Sequence, residues 1–380
     1  MVNATLQTFS GSHYEIGVQQ GQATRGLLQK ALAQIQDLEV LKQMKPRLLP
    51  TPVFLALARR RADKLLRNDI FENYPKQAQR LKGIAEGVGV SISTILFMQS
   101  IELLIGQKSK SSYHLQACTS LGFRPARTLT EETFLAKNFD YPPEYKAFHL
   151  TCLTKPTDGF QTLGCTMAPL SGMLEGTNER GLAVTYNYTY TIDKPTHFVP
   201  LSIVLQEMLE TCKNANEAVR FIKQAKRAGS ALLTFADAEN DIKVVEISSN
   251  HASVREDVGN QIVVTNHYDT PEMQKFEIPH TAVYSGKAPK TLHGIRVHES
   301  SERRLKRASE LLKGKVKIDE NKIVAVLRDH GRESKPSMMT ICRHSEFGST
   351  LRSVIFYPNR RILKVLYGNP CQNEYAEFTF

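Results

Sequence analysis

Cys118 lies in the interior run Gln116-Ala117-Cys118-Thr119-Ser120. About twenty residues later a β-like run carries Lys137, Asn138 and Asp140 in Ala136-Lys137-Asn138-Phe139-Asp140-Tyr141. A thiol followed by a basic residue, an amide and a carboxylate at this spacing suggests a nucleophile masked by its own peptide bond. Severing Ala117–Cys118 would give Cys118 a free α-amine, of ordinary pKa about 7.7–8.0, beside a thiol of about 8.5. One residue would then hold both the attacking atom and its base. Each residue also has a plainer reading. A lone cysteine can be a core residue, Asp140 can serve a turn before Pro142-Pro143, and Lys137 can be an exposed strand lysine.

Other reactive side chains are scattered downstream. Asn187 closes Val184-Thr185-Tyr186-Asn187 and Asn266 closes Val263-Val264-Thr265-Asn266, where an amide can also satisfy a turn. Arg303, Arg304 and Arg307 share one basic helix. His267, His330 and His344 could act as bases or be structural. His293 and His298 lack the HExxH spacing of a zinc hydrolase, and neither a GxSxG elbow nor a GxxxxGK phosphate loop is present.

The run around Cys118 resembles the isopenicillin N acyltransferase family of N-terminal-nucleophile (Ntn) amidohydrolases, with bile salt hydrolase and penicillin V acylase as more distant relatives. The resemblance extends upstream to Gly11-Ser12-His13-Tyr14-Glu15-Ile16-Gly17, Tyr74-Pro75 and Leu81-Lys82-Gly83-Ile84-Ala85-Glu86-Gly87. Downstream it includes Gly176-Thr177-Asn178-Glu179-Arg180-Gly181-Leu182-Ala183-Val184, Val264-Thr265-Asn266-His267, Ser301-Glu302-Arg303-Arg304, Asp329-His330, Ile341-Cys342-Arg343-His344 and Gly368-Asn369-Pro370-Cys371.

That resemblance implies an α+β fold, a four-layer αββα sandwich with a helical N-terminal pro-segment, and the nucleophile at the start of an inner strand. It implies self-cleavage between Ala117, where the family often has Gly, and Cys118. Asp140 would position the new α-amine, and Lys137 stands where bile salt hydrolases carry arginine. Asn187 and Asn266 occupy positions of oxyanion-hole groups, and Arg304 aligns with a buried arginine near the nucleophile. The substrate would be a small N-acyl amide, or an acyl donor such as an acyl-CoA or thioester. The two cleaved fragments would stay associated, no cofactor or metal is expected, and a homo-oligomer stays open.

The elements that must position these residues change character near residue 115. Upstream the pattern is helical: 13–45, a basic amphipathic stretch at 53–70, a helix opened by Tyr74-Pro75 and ended by Gly87 and Gly89, and an apolar helix from Ser91 to Leu104. Residues 106–114 have a linker composition. Downstream, strands are expected at 133–138, 148–153, 182–190, 231–236, 242–248 and 261–265. Helices follow at 201–212, 215–228, 300–313 and 319–329, and late strands at 337–342, 351–357 and 361–367. The division is thus a pro-segment over 1–117 and a catalytic unit over 118–380.

With 380 residues, 41% of them apolar and 23% charged, the chain can bury a sizeable core. No apolar run approaches a membrane span and no secretory signal is evident, so the expected compartment is the cytoplasm. The six cysteines form no CxxC pair and their spacings resemble no zinc site. The net charge is +11; residues 1–117 hold 15 lysines and arginines against 8 acidic residues, with Arg59-Arg60-Arg61 the densest cluster. That cluster reads as a solvated helix face, with no nucleic-acid motif beside it. Two rivals follow: an uncleaved cysteine hydrolase using His267 or His330, and a non-catalytic basic binding protein on a decayed amidase fold.

Overall fold

In the computed structural model, residues 5–34, 45–46, 48–107, 117–255, 259–286 and 288–380 are described. Fourteen strands among them form two sheets. The six-stranded sheet contains β2 (Ala117–Phe123), β3 (Phe134–Tyr141), β11 (Gln261–Val264), β12 (Ser349–Tyr357), β13 (Ile362–Tyr367) and β14 (Ala376–Phe378), in the order β11-β2-β3-β12-β13-β14. The eight-stranded sheet takes β1 (Leu6–Gly11), β4 (His149–Pro156), β5 (Thr162–Met167), β6 (Glu175–Asn178), β7 (Ala183–Tyr188), β8 (Ala231–Ala236), β9 (Ile242–Ile247) and β10 (Ala252–Val254) in chain order, with β1 at one edge pairing parallel to β4. All other pairings are antiparallel.

The sheets pack face to face, β2 and β3 against β7 and β8. Leu135, Leu163, Val244 and Val354 fill the space between them. On the outer face of the six-stranded sheet lie α7 (Glu299–Leu311) and α8 (Glu320–Leu327), joined to it through Leu121, Ala308 and Ile323. The eight-stranded sheet is covered by α5 (Leu201–Thr211) and α6 (Ala215–Gln224). The expected αββα layering is therefore present. Its inner strands are buried on both sides: β2 and β3 have no exposed residue, although β3 carries Lys137 and Asp140. Asn214 caps α6 by accepting from the Glu217 amide at 3.0 Å, and Ala215, Ala218 and Ile222 place its apolar stripe on the sheet.

Among its described residues, the elements of the N-terminal segment before β2 are helices apart from β1. It contains α1 (His13–Gln34), α2 (Thr51–Asn73), α3 (Pro75–Val88) and α4 (Ile92–Gln107). Helices α1 and α3 touch backbone to backbone. A Cβ on Gly17 would sit 2.1 Å from the Arg80 carbonyl oxygen, and one on Gly83 2.1 Å from that of Tyr14. Gly87 belongs to this contact and lies inside α3 rather than ending it. The left-handed cap is Gly89, at φ 83°. Arg59, Arg60 and Arg61 lie on α2, and all three are exposed.

This segment is built into the rest of the molecule. β1 completes the eight-stranded sheet, and buried Glu210 of α5 is met by His13 (3.0 Å) and Gln77 (2.7 Å) from α1 and α3, with the Arg80 guanidinium 3.7 Å away.

The expected strand at 337–342 does not form. Its backbone is used locally instead: Cys342 N–H donates to the Asp329 carbonyl at 3.0 Å, and the Ile341 carbonyl accepts from the Asn138 side chain at 3.0 Å. The linker at 106–114 falls mostly outside the described residues, as does the expected helix beyond residue 34. Among the described residues no single helix is long and apolar enough to cross a membrane.

Candidate active site

Cys118 is the second residue of β2, paired with Phe139 of β3, while Ala117 pairs with Asp140. Side chains alternate across a sheet, and that alternation sorts the site into two faces. Ser120 and Lys137 point between the sheets, where they meet Asn187 and Glu175. Cys118 and Phe139 share that face. Asn138 and Asp140 point the other way, toward the α7/α8 layer. There Asn138 donates to the Leu327 carbonyl at 2.8 Å, and Asp140 Oδ1 accepts from Thr350 at 2.7 Å. Asp140 Oδ2 is buried without a hydrogen-bond partner.

The backbone of Cys118 is gripped from both sides. Its N–H donates to Asn266 Oδ1 at 2.8 Å. Its carbonyl accepts from Arg304 Nη1, which also donates to Thr119 Oγ1 at 2.9 Å. Arg304 Nη2 donates to Asn266 Oδ1 at 2.9 Å, so one amide oxygen joins the two residues. Asn266 Nδ2 donates to the Tyr188 carbonyl at 2.6 Å, and its own N–H donates to Ser301 Oγ at 2.7 Å. Of the three neighbouring arginines, Arg304 alone enters the site. Arg303 is exposed and pairs with Glu299, and Arg307 pairs with Asp329.

Asn187 is placed beside these groups, but its side chain is fully engaged. Nδ2 donates to the Val264 and Thr265 carbonyls, each at 3.0 Å, and Oδ1 accepts from Ser120 at 2.6 Å. It ties β7 to the end of β11, just before Asn266, with no donor left over for a substrate oxygen. Lys137 is wholly buried, not exposed. Its ammonium donates to Glu175 and to the Tyr186 carbonyl, and Glu175 also receives Arg352 from β12. Glu175, Arg352, Arg343 and Thr350 were not singled out from the sequence. Glu175 immediately precedes the quoted Gly176 run and Arg343 lies within the Ile341–His344 run, so adjacency was the available signal.

The electrostatics follow from burial. Burial pushes the Cys118 thiol above its usual range, with Lys137 pulling in the opposite direction. Burial also pushes Asp140 up to about 6, against Arg343, Arg304, the Thr350 hydroxyl and Lys137. Arg304 is lowered by burial to about 10. His267 is pushed down to about 4, again mainly by burial, and its Nδ1 lies 2.7 Å from Ser301 Oγ.

An apolar cavity of about 1000 Å3, mouth included, opens beside this site. Phe139, the cross-strand partner of Cys118, lines it together with Tyr186 and Tyr188. Met98 and Ile101 of α4 and Leu170 are among the other apolar residues of the wall. The few polar groups at its edge include Glu102, which accepts from the Ser202 N–H and hydroxyl at the start of α5. A mostly apolar concavity with few polar groups, next to titratable side chains of shifted pKa, is the usual form of a small-molecule site.

Residues 128–372 match the model of the family described as acyl-coenzyme A:6-aminopenicillanic acid acyl-transferase, and the chain belongs to that family. The matched segment begins downstream of Cys118 and includes Lys137, Asp140, Asn187, Asn266 and Arg304.

Solved structures similar to it include the Caenorhabditis elegans ortholog of N-acylethanolamine-hydrolyzing acid amidase (18% identity, 64% of this chain and 93% of that one, TM-score 0.43). A mutant of conjugated bile acid hydrolase from Clostridium perfringens is also similar (15%, 69% and 97%, TM-score 0.46). A third is penicillin V acylase from Agrobacterium tumefaciens (15%, 66% and 83%, TM-score 0.42). Similarity at this level says nothing about chemistry.

Proposed function

We propose that the chain matures by cutting its own Ala117–Cys118 bond and then works as a cysteine amidohydrolase or acyl-transferase on N-acyl amides with an apolar acyl group. In maturation the Cys118 sulfur attacks the Ala117 carbonyl carbon. The C–N bond breaks as the C–S bond forms, and the nitrogen takes up the proton that the thiol gives up. Water then hydrolyses the thioester, leaving residues 1–117 with a carboxylate and residues 118–380 with a free amine.

The observation that carries this reading is the grip on the Cys118 backbone. Asn266 Oδ1 already accepts from the nitrogen that would become the amine, and Asp140 Oδ2, on a residue paired with Ala117, is a buried acceptor with no partner. Together they supply acceptors for an α-ammonium. Burial raises the thiol, so it needs an adjacent base to ionise at neutral pH. The α-amine is that base. His267, driven down to about 4, is a poor substitute.

In turnover the thiol passes its proton to the amine and attacks the substrate carbonyl. The amine then protonates the departing nitrogen. Water resolves the thioester in hydrolysis, and an amine resolves it in transfer. Asn266 and Arg304 polarise the backbone at the reacting residue, and Asn187 and Lys137 act as positioning residues. The acyl chain lies in the cavity against Phe139 and Tyr186. An acyl-CoA or another thioester can load the same sulfur. The two fragments remain associated because β1 and the Glu210 cluster hold them together. We place the enzyme in the cytoplasm, where six cysteines without a CxxC pair suit a reducing compartment.

The experiment is turnover of N-acyl amides of graded acyl length by the purified protein, with intact mass under denaturing conditions to detect the acyl-enzyme. Long or aromatic acyl groups should raise kcat/KM over acetyl by about tenfold or more, at about 0.8 kcal/mol per buried methylene. The adduct should map to Cys118. Equal turnover of acetyl and long-chain amides, or turnover surviving Cys118→Ala, rejects the assignment.

A further inference from the structure

Around Arg343, whose chain neighbours are Cys342 and His344, four side chains from three separate stretches of chain converge. They are His330 after α8, Cys342 and His344 in the loop before β12, and Cys371 after β13. One donor atom from each lies within 4.8 Å of every other. His330 Nε2 and His344 Nε2 are 3.2 Å apart. Cys342 Sγ is 3.4 Å from His344 Nε2, and Cys371 Sγ is 3.3 Å from the same atom. Cys342 is fully buried, and the other three are half-buried.

These separations are close to the edges of a small tetrahedron. Zinc takes imidazole nitrogen at about 2.0–2.1 Å and thiolate sulfur at about 2.3 Å, and a tetrahedral angle then sets N–N edges near roughly 3.3 Å and N–S edges near roughly 3.6 Å. Neither an ordinary hydrophobic contact nor a disulfide would bring both imidazoles and both sulfurs onto one point. We propose that His330, Cys342, His344 and Cys371 form a binding site for one zinc ion. Two nitrogens and two sulfurs in tetrahedral arrangement select zinc over oxygen-seeking cations. Because all four ligands come from the protein, no position is left for water or substrate, so the site is structural.

Its work is visible in what the ligands flank. Arg343 sits between two of them and is one of the groups that pull the Asp140 carboxyl down. Its N–H donates to Thr350 Oγ1 at 2.9 Å, and the same hydroxyl donates to Asp140 at 2.7 Å. A zinc ion would fasten the 328–348 loop to the turn after β13 and so fix Arg343 and Thr350 behind Asp140. Spacing along the chain does not reveal this set, because the two cysteines come from different loops and only folding brings them together.

The test reads metal, not turnover, so it stands or falls apart from the catalytic proposal. Native protein, purified under reducing conditions and equilibrated with zinc, then dialysed against metal-free buffer, should retain about one zinc per chain by elemental analysis. Replacement by cobalt(II) should give the visible bands of a tetrahedral thiolate site. Cys371→Ser, at one of the three half-buried corners, should weaken zinc retention by about tenfold or more, whereas His293→Ala, outside the cluster, should leave it unchanged. Zinc-free protein that takes up no zinc, a Cys342–Cys371 disulfide in protein recovered directly from cells, or full zinc retention by Cys371→Ser would overturn the proposal.

Discussion

Asn266 Oδ1 lies 2.8 Å from the backbone nitrogen of Cys118, and the same oxygen takes a hydrogen bond from Arg304 at 2.9 Å. This one acceptor links the strand that carries Cys118 to the helix layer that supplies Arg304. The arrangement holds the Cys118 nitrogen in place, which is what the proposed maturation needs if that nitrogen is to become a base.

Asn266→Ala should therefore slow maturation. The change leaves the Arg304 Nη2 donor and the Cys118 N–H without their acceptor in a buried site, at about 1–3 kcal/mol for an unsatisfied group. If that cost falls on the transition state, cleavage slows roughly ten- to hundredfold. A time course of the cleaved fraction by gel or mass spectrometry measures it; cleavage at the wild-type rate would mean that this contact is only structural.

Asp140 gives a pH dependence of defined sign. In the folded chain burial holds its carboxyl up to about 6, whereas an unfolded aspartate titrates near roughly 3.9. Between those values the native state binds the extra proton, so this group's contribution to stability is complete below the lower value and is lost as pH rises through about 6. In the proposed mature enzyme the ionised form would pair with the α-ammonium, which pulls the carboxyl back down, so activity should rise with pH as Asp140 ionises, at or below the folded-state window. Asp140→Asn should flatten the stability slope and remove the rising limb of kcat. An unchanged limb in that variant would assign it to another group.

The buried trio of Lys137, Glu175 and Arg352 predicts an order of damage. Glu175→Gln leaves two buried cations without their shared anion and should cost about 3–5 kcal/mol. Lys137→Met leaves the Glu175–Arg352 pair intact and takes one donor from the Tyr186 carbonyl, so about 1–2 kcal/mol is expected. Denaturant unfolding of the two variants checks the order, and a Lys137→Met variant less stable than Glu175→Gln would contradict it.

Much of this was legible in the sequence. The strand at 231–236 and the helices after Pro200 form where the sequence pattern places them, the second helix capped by Asn214. The short strands β5 and β6 escaped because glycine interrupts them. Gly164 and Gly176 are opposite each other, and a Cβ on Gly164 would lie 2.3 Å from the Glu175 carbonyl oxygen, so the glycines mark close approach, not a turn. The stretch 337–342 has β-like residues but gives its backbone bonds to Asp329 and Asn138.

At the site, Cys118, Asn266 and Arg304 are joined by hydrogen bonds, and Asp140 lies opposite Ala117 on the neighbouring strand. The burial of Lys137 was not legible, because its partners come from β6 and β7, distant in sequence. Nor was the engagement of the Asn187 amide, which depends on where β11 ends.

The most direct measurement is the intact mass of the purified protein under denaturing conditions, beside that of Cys118→Ala. The account predicts two species, residues 1–117 and 118–380, the second beginning with Cys118, and a single uncut, inactive chain for the variant. Fully active protein with the Ala117–Cys118 bond intact would contradict it.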